Sequence, residues 1–352
     1  MVAATALPAT PAGRSGWDLQ PQHVRRATDV RELRPGWRDL VTAMTQCSLR
    51  IPRRYPSFFS ELAMKFTTLD RYHCSILAET FPNRFFQHSA QTPVLHNGEV
   101  VVAQTVPTIW DSLAAAGISG KYYFTDVPFV AVWGNKYLPI AHTFPEFLAD
   151  AAAGTLPAAS FLDPKFQDED QGTSGDDHPH GDIRVGDAFM SQAFHAVASG
   201  PGWAKTVFVI TYDEWGGFFD HVAPPRSVAA NDVDPPDDNG DVLLGIRVPT
   251  IVASPWTHGH DEPRIHSHLF DHTSVLKLIE WRWRLPHLTL RDAPDSNITN
   301  LAHVLDFQGH DPHVPRLPTP VAPVIEACPP AFVGDRLWKQ LRESPMAKDW
   351  RL

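Results

Sequence analysis

From Ser57 onward, apolar positions alternate between helical and extended spacing. PSFFSELAMKF sets Phe58, Phe59, Leu62, Ala63 and Phe66 on one helical face. The next stretch, TTLDRYHCSILAETFPNR, is β-prone, breaks at Glu79-Thr80 and meets Pro82. That pattern predicts a strand ending in a turn that opens a helix, a common place to present a reactive side chain. TIWDSLAAA (108–116) and FPEFLADAAA (144–153) predict helices stopped by Gly117 and Gly154, followed by the strands KYYF and PAASFLD. A helix is expected over Asp187–Ala198. TVFVITYDE is a continuous apolar run of the kind that fills a central parallel strand covered on both faces. VPTIVAS predicts another buried strand, Ser267–Arg284 a long helix, and Asp335–Glu343 a last one.

Helices alternating with strands predict an α/β fold, a three-layer sheet sandwich whose ligands bind at the carboxyl ends of its strands. Residues 1–41 read as a poorly structured arm, with one short helix around Val30–Met44. Residues 42–352 read as a single α/β domain with a Pro-rich extension from about residue 293. Two stretches, 167–186 and 223–241, read as loops, the first strongly acidic.

Composition narrows the function. With 43% hydrophobic and 20% charged residues, the 352-residue chain is not dominated by disorder. A net charge of −10 argues against nucleic acid as the main partner, since a backbone-binding protein presents a basic face. Three cysteines without close spacing (Cys47, Cys74, Cys328) argue against a disulfide framework or thiolate zinc site, and Cys74 reads as a core residue. No apolar run approaches the roughly 18 residues of a membrane span. MVAATALPATPAGRSG has neither a basic start nor an apolar core, so no signal peptide is read and a cytoplasmic protein is expected. Thirty-three prolines call for many ordered loops, and eighteen histidines direct attention to metal and acid–base chemistry.

Four segments could carry that chemistry. In YDEWGGFFDHVAPP a buried strand ends in Asp213 and Glu214, followed by Gly216 and Gly217, then Asp220 and His221. Two like charges there call for a divalent cation, or the strand end simply surfaces into solvent. DDHPHGD offers His178 and His180 as ligand or general acid, or as an exposed polar loop. IHSHLFDH gathers His266, His268 and His272 beside Asp271 and Ser267, either of which could cap the helix. Thr80, from its spacing alone, reads as a cap or hydrogen-bond partner.

The blocks DRYHCSILAETFPNR, LPAASFLDP, DDHPHGDIRVGDAF, TVFVITYDEWGGFFDHVAPP, IRVPTIVASPW and FDHTSVLKLIEWRW together resemble the bacterial phosphoesterase family. That family includes the non-zinc phospholipases C and acid phosphatases. The blocks run in family order across about residues 55–285. The resemblance implies an alkaline-phosphatase-like α/β/α sandwich and metal-dependent hydrolysis of phosphate esters through a phosphothreonine intermediate. It implies Thr80 as nucleophile, His178 and His272 as further catalytic groups, and Asp213, Glu214 and Thr80 as ligands of a divalent metal ion. The partner implied is a phosphate-ester small molecule or a phospholipid head group.

Two departures stand out. Glu79 replaces the proline that usually precedes the nucleophile, placing a negative charge beside it. The family's opening ENRSFD strand, whose Glu and Asn belong to the metal site, has no counterpart in residues 1–41, so the first strand is expected to be missing or replaced. Asn135 or Asp111 are conceivable substitutes that spacing does not single out. The alternative function is therefore a catalytically impaired relative serving as a binding or scaffold protein. A start codon placed too far downstream would explain the gap as well, and would make an exported protein the expectation.

Overall fold

The computed structural model describes residues 2–4, 25–26, 57–179, 181–258, 263–325 and 336–350. The helix expected at Val30–Met44, together with Cys47, Cys328 and His180, lies outside the described residues. The strands are β1 (Val2–Ala4), β2 (Arg25–Arg26), β3 (Thr67–Leu69), β4 (Gly120–Phe124), β5 (Ala141–Thr143) and β6 (Ala159–Leu162), then β7 (Val207–Ile210), β8 (Arg226–Val228), β9 (Asp241–Leu243), β10 (Thr250–Ala253) and β11 (Arg264–His266). Nine form one mixed sheet in the order β2-β11-β3-β10-β7-β1-β6-β4-β5, while β8 and β9 make a separate hairpin. The α-helices are α1 (Phe58–Lys65), α2 (Thr80–Ser89), α3 (Ile109–Ala115), α4 (Phe144–Ala153), α5 (Ile183–Ser199), α6 (Thr273–Trp283), α7 (Arg336–Glu343) and α8 (Ala347–Trp350).

Because strand side chains alternate between faces, the apolar runs feed two cores. Val207 and Val209 join Tyr122, Phe161 and Val252 in one core, which α2, α3 and α6 cover through Phe85, Trp110 and Leu276. Phe208 and Ile210 join Tyr123, Leu162 and Ile251 in the other, under α1, α4 and α5 through Phe58, Phe147 and Phe194. The result is a mixed α/β sheet with helices on both faces. Among the described residues no helix is long and apolar enough to cross a membrane.

Several expectations change in detail. β7 is not parallel to its neighbours: β1 and β10 both run antiparallel to it, while β4, β5 and β6 form a parallel trio. An apolar run reports that both faces are covered and carries no information about strand direction. The expected arm contributes β1 to the middle of the sheet, with Ala3 opposite Ser160 and Phe208, and β2 to its edge. The loop at 223–241 contains β8 and meets β9, three-residue strands too short to show an alternating pattern. The helix read from Ser267 begins only at Thr273, because residues 267–272 bend away after β11 and Phe270 bridges to Tyr72. Asp271 marks that start, accepting the Thr273 N–H at 2.8 Å and hydroxyl at 2.6 Å while Arg291 holds its other oxygen at 3.2 Å. α5 starts at Ile183 rather than Asp187, since Asp182 caps it by accepting the Arg184 N–H at 3.0 Å.

Candidate active site

Thr80 is the first residue of α2, and the turn before it is gripped by one buried amide. Asn83 Oδ1 accepts the Ile76 N–H at 3.2 Å, and Nδ2 donates to the carbonyls of Ile76 (3.2 Å), Ala78 (2.9 Å) and Glu79 (3.2 Å). The helix start itself has few free donors. Phe81 N–H is taken by Asn97 Oδ1 at 2.8 Å, and Pro82 has none. Glu79 turns away from the helix, accepting the Asn97 N–H at 2.8 Å beside His96 at 3.5 Å.

Asp213 and Glu214 follow the end of β7. Asp213 Oδ1 accepts the Glu214 N–H at 3.1 Å, and Glu214 Oε2 accepts the Gly216 N–H at 2.7 Å. That fold-back requires φ of +66° at Gly216 and +73° at Gly217, a region open to glycine. Burial, reinforced by the neighbouring Asp213 carboxylate, pushes the Glu214 carboxyl up to about 8. Among the described residues neither carboxylate forms an ion pair with a cationic side chain.

His178 comes from the acidic loop, its backbone N–H held by Asp176 Oδ1 at 3.1 Å. Thr80, His178, Asp213 and Glu214 line one cavity of about 90 Å³ at the end of β7. Thr80, His178 and Glu214 also line an open groove of about 480 Å³ immediately outside it. His272 is not in either lining. It is 1% exposed and stands behind the site, with Nε2–H donated to the Asp213 carbonyl at 2.7 Å and Nδ1 3.3 Å from the Tyr72 hydroxyl. Burial holds its pKa below the usual imidazole range, which keeps the ring neutral.

The structure adds residues that sequence reasoning did not assign a role. Arg84, one turn after Thr80, pairs with buried Asp163, which also accepts the Tyr122 hydroxyl. Burial raises the Asp163 carboxyl despite that guanidinium. Asp177 Oδ2 accepts the Tyr212 hydroxyl at 2.7 Å, and burial next to Asp176 pushes its pKa up to about 8. Arg84, Asp163, Asp177 and Tyr212 all line the inner cavity. Each lies in one of the motif blocks, so the signal was present; only the tertiary pairing was missing.

Other candidates are engaged elsewhere. Asp220 forms a two-point ion pair with Arg247 (2.7 and 2.8 Å). Asp111 binds Lys136 and Tyr137, and Asn135 donates to Asp349 at 2.8 Å. His266 and His268 face each other, with their Nδ1 atoms 3.1 Å apart.

For a metal ion, Asp213 and Glu214 supply hard oxygen donors, and the raised Glu214 pKa marks a carboxylate pair short of positive charge. Among the described residues no group of three or more His, Cys, Asp or Glu side chains is arranged to hold one. Two carboxylates of the chain would leave the other positions of a divalent ion to water and substrate oxygens.

"Non-specific phospholipase C1" of Arabidopsis thaliana is 34% identical over 255 residues, covering 67% of this chain and 48% of the relative. "Phospholipase C A" of Mycobacterium tuberculosis (strain CDC 1551 / Oshkosh) is 32% identical over 290 residues, covering 70% and 54%. The chain thus spans about half the length of the relatives it matches. Among solved structures, "Crystal structure of Ps i-CgsB" is a distant likeness, with a TM-score of 0.40 and 12% identity over 73% of this chain and 71% of that one. The Phosphoesterase family profile matches residues 51–286, the span that holds Thr80, His178, Asp213, Glu214 and His272, and the chain belongs to that family.

Proposed function

We propose that the chain hydrolyses phosphate esters in the manner of a phospholipase C or acid phosphatase, on an alkaline-phosphatase-like α/β/α scaffold. The observation that carries this reading is the convergence of Thr80, His178 and Glu214 on the junction between the inner cavity and the outer groove. A phosphoryl group at that junction would meet a hydroxyl, an imidazole and a carboxylate pair together.

Thr80 Oγ, its proton passed to solvent water, attacks phosphorus, forming a P–O bond to the threonine as the bond to the leaving alkoxide breaks. His178, lining the groove side, gives its proton to that alkoxide. Water, giving a proton to the now neutral His178, then attacks the phosphothreonine; the Oγ–P bond breaks, the phosphate leaves, and Thr80 Oγ takes a proton from solvent. Asn83 fixes the turn before Thr80, which lines both the cavity and the groove. His272 holds the Asp213 backbone and so positions the carboxylates. Negative charge on the phosphoryl oxygens needs a cation here, because the start of α2 has little N–H capacity left and Arg84 is committed to Asp163. A divalent metal held by Asp213, Glu214 and the Thr80 hydroxyl would supply that charge and lower the proton affinity of the hydroxyl.

The relatives named as phospholipases C support a phospholipid head group as substrate. One observation favours the second reading, an impaired relative that binds without turnover: two carboxylates stand where a metal centre usually collects more ligands. Metal dependence separates the two. The chain stripped with chelator should be inactive on p-nitrophenyl phosphorylcholine and on p-nitrophenyl phosphate, and added Mg²⁺, Ca²⁺, Mn²⁺ or Zn²⁺ should restore turnover of one of them. A well-folded chain inert with every metal supports the second reading.

A further inference from the structure

His266 and His268 form a pair that the reaction above does not use. His266 is the last residue of β11 and is 4% exposed, and His268 stands two positions on, half-buried. Positions i and i+2 of an extended chain share a face. Here the two rings meet with their Nδ1 atoms 3.1 Å apart. The chain around them is pinned on both sides. Ser267 Oγ donates to Asp70 Oδ2 at 3.0 Å, and the Asp70 N–H donates to the His266 carbonyl at 3.3 Å. The Leu269 carbonyl accepts the Thr299 N–H at 2.8 Å. Burial, reinforced by His268, Arg264 and His303, lowers the His266 pKa to about 4, so its ring is neutral at pH 7. A neutral imidazole is the form that ligates a metal.

We propose that Nδ1 of His266 and Nδ1 of His268 chelate a transition-metal ion of the zinc or copper(II) type, with water in its other positions. Spacing supports this. Two nitrogens at about 2.0–2.1 Å from one ion stand about 3.3 Å apart at a tetrahedral angle and about 2.9 Å apart at a right angle. The observed 3.1 Å lies between those two bites. Ligand chemistry separates this site from Asp213 and Glu214, since imidazole suits zinc and copper whereas carboxylate oxygens suit magnesium and calcium. The sheet separates them too, with β3 and β10 between β11 and β7. Two protein ligands, where a structural zinc takes four, make the ion exchangeable and leave the fold independent of it. Once bound, it clamps the end of β11 to the segment that leads into α6.

The test is equilibrium dialysis of the full, untagged chain against Zn²⁺, joined to electron paramagnetic resonance of the same chain loaded with Cu²⁺. His268→Gln should weaken one Zn²⁺ equivalent by roughly tenfold or more, as expected when a ligand is removed. His268→Cys should keep that equivalent, because a thiolate also ligates zinc, and its retention shows that the position binds metal and does not merely support the fold. Asp213→Asn should keep it as well, which separates this ion from one held at the end of β7. The Cu²⁺ spectrum should carry coupling to two imidazole nitrogens, and His266→Gln or His268→Gln should remove one of them. Zn²⁺ binding indifferent to His268→Gln, loss of the same equivalent in Asp213→Asn, or a Cu²⁺ spectrum without imidazole nitrogen would overturn the proposal.

Discussion

His272 donates its Nε2–H to the backbone carbonyl of Asp213 across 2.7 Å, tying the start of α6 to the acidic end of β7. Neither residue could be seen to need the other in the sequence, since 59 positions separate them. Removing the imidazole in His272→Ala leaves a buried carbonyl without its donor and a small cavity. Unfolding by urea should show a loss of about 1–3 kcal/mol. Metal titration of turnover should show an apparent affinity roughly 10- to 100-fold weaker, as for other groups that orient a ligand.

Asn83→Ala removes an acceptor and a donor group that together make four contacts with the turn before Thr80. The expected outcome is a stability loss of about 2–3 kcal/mol, read by urea unfolding. Turnover should fall as well, in kcat rather than in KM, because the nucleophile loses its fixed position and the groove does not.

Gly186 sits inside α5, where a change to alanine ordinarily stabilises a helix by about 1 kcal/mol. Here a Cβ would stand 2.1 Å from Asp177 Oδ1. Gly186→Ala should therefore destabilise, by about 1–3 kcal/mol, through displacement of Asp177 from Tyr212. A thermal midpoint at or above that of the parent would show that Asp177 moves aside without cost.

Glu280 gives a pH dependence of known sign. Burial, with Asp292 beside it, pushes its carboxyl up to about 10 in the folded chain, against about 4.3 unfolded. The folded state then holds the extra proton across that window, so this residue's contribution to stability falls as pH rises from about 4 to 10. Glu280→Gln keeps a donor toward Asp292 and removes the titration. Urea unfolding should find the variant close to the parent near pH 4–5 and more stable than it by over about 1 kcal/mol at pH 8. Parallel pH profiles for the two chains would contradict this.

Much of the scaffold was legible because it is locally encoded. α4 runs from Phe144 to Ala153 as read, since its apolar face is regular and Gly154 ends it at φ +70°. The buried strands β7 and β10 were found from composition alone, but their antiparallel pairing was not. Direction depends on what lies alongside, and β1 comes from more than 200 residues away in sequence. α6 was drawn to start six residues too early because its start is set by a tertiary pair, Asp271 with Arg291. The site behaved in the same way. Thr80, His178, Asp213 and Glu214 stood out as residue types in motifs, whereas the Arg84–Asp163 and Asp177–Tyr212 pairs depend on contacts that no spacing reveals.

The central claim is that Thr80 is the nucleophile of a phosphoester hydrolase. It is tested most directly by the turnover of p-nitrophenyl phosphorylcholine and p-nitrophenyl phosphate by Thr80→Ala and Thr80→Ser beside the parent, each with saturating divalent metal. Thr80 is half-buried at a helix start and among the described residues its side chain makes no hydrogen bond, so both variants should fold as the parent does. Turnover by Thr80→Ala is predicted to fall roughly 10³-fold or more, with Thr80→Ser retaining a substantial part of it. Turnover by Thr80→Ala within tenfold of the parent would contradict the account.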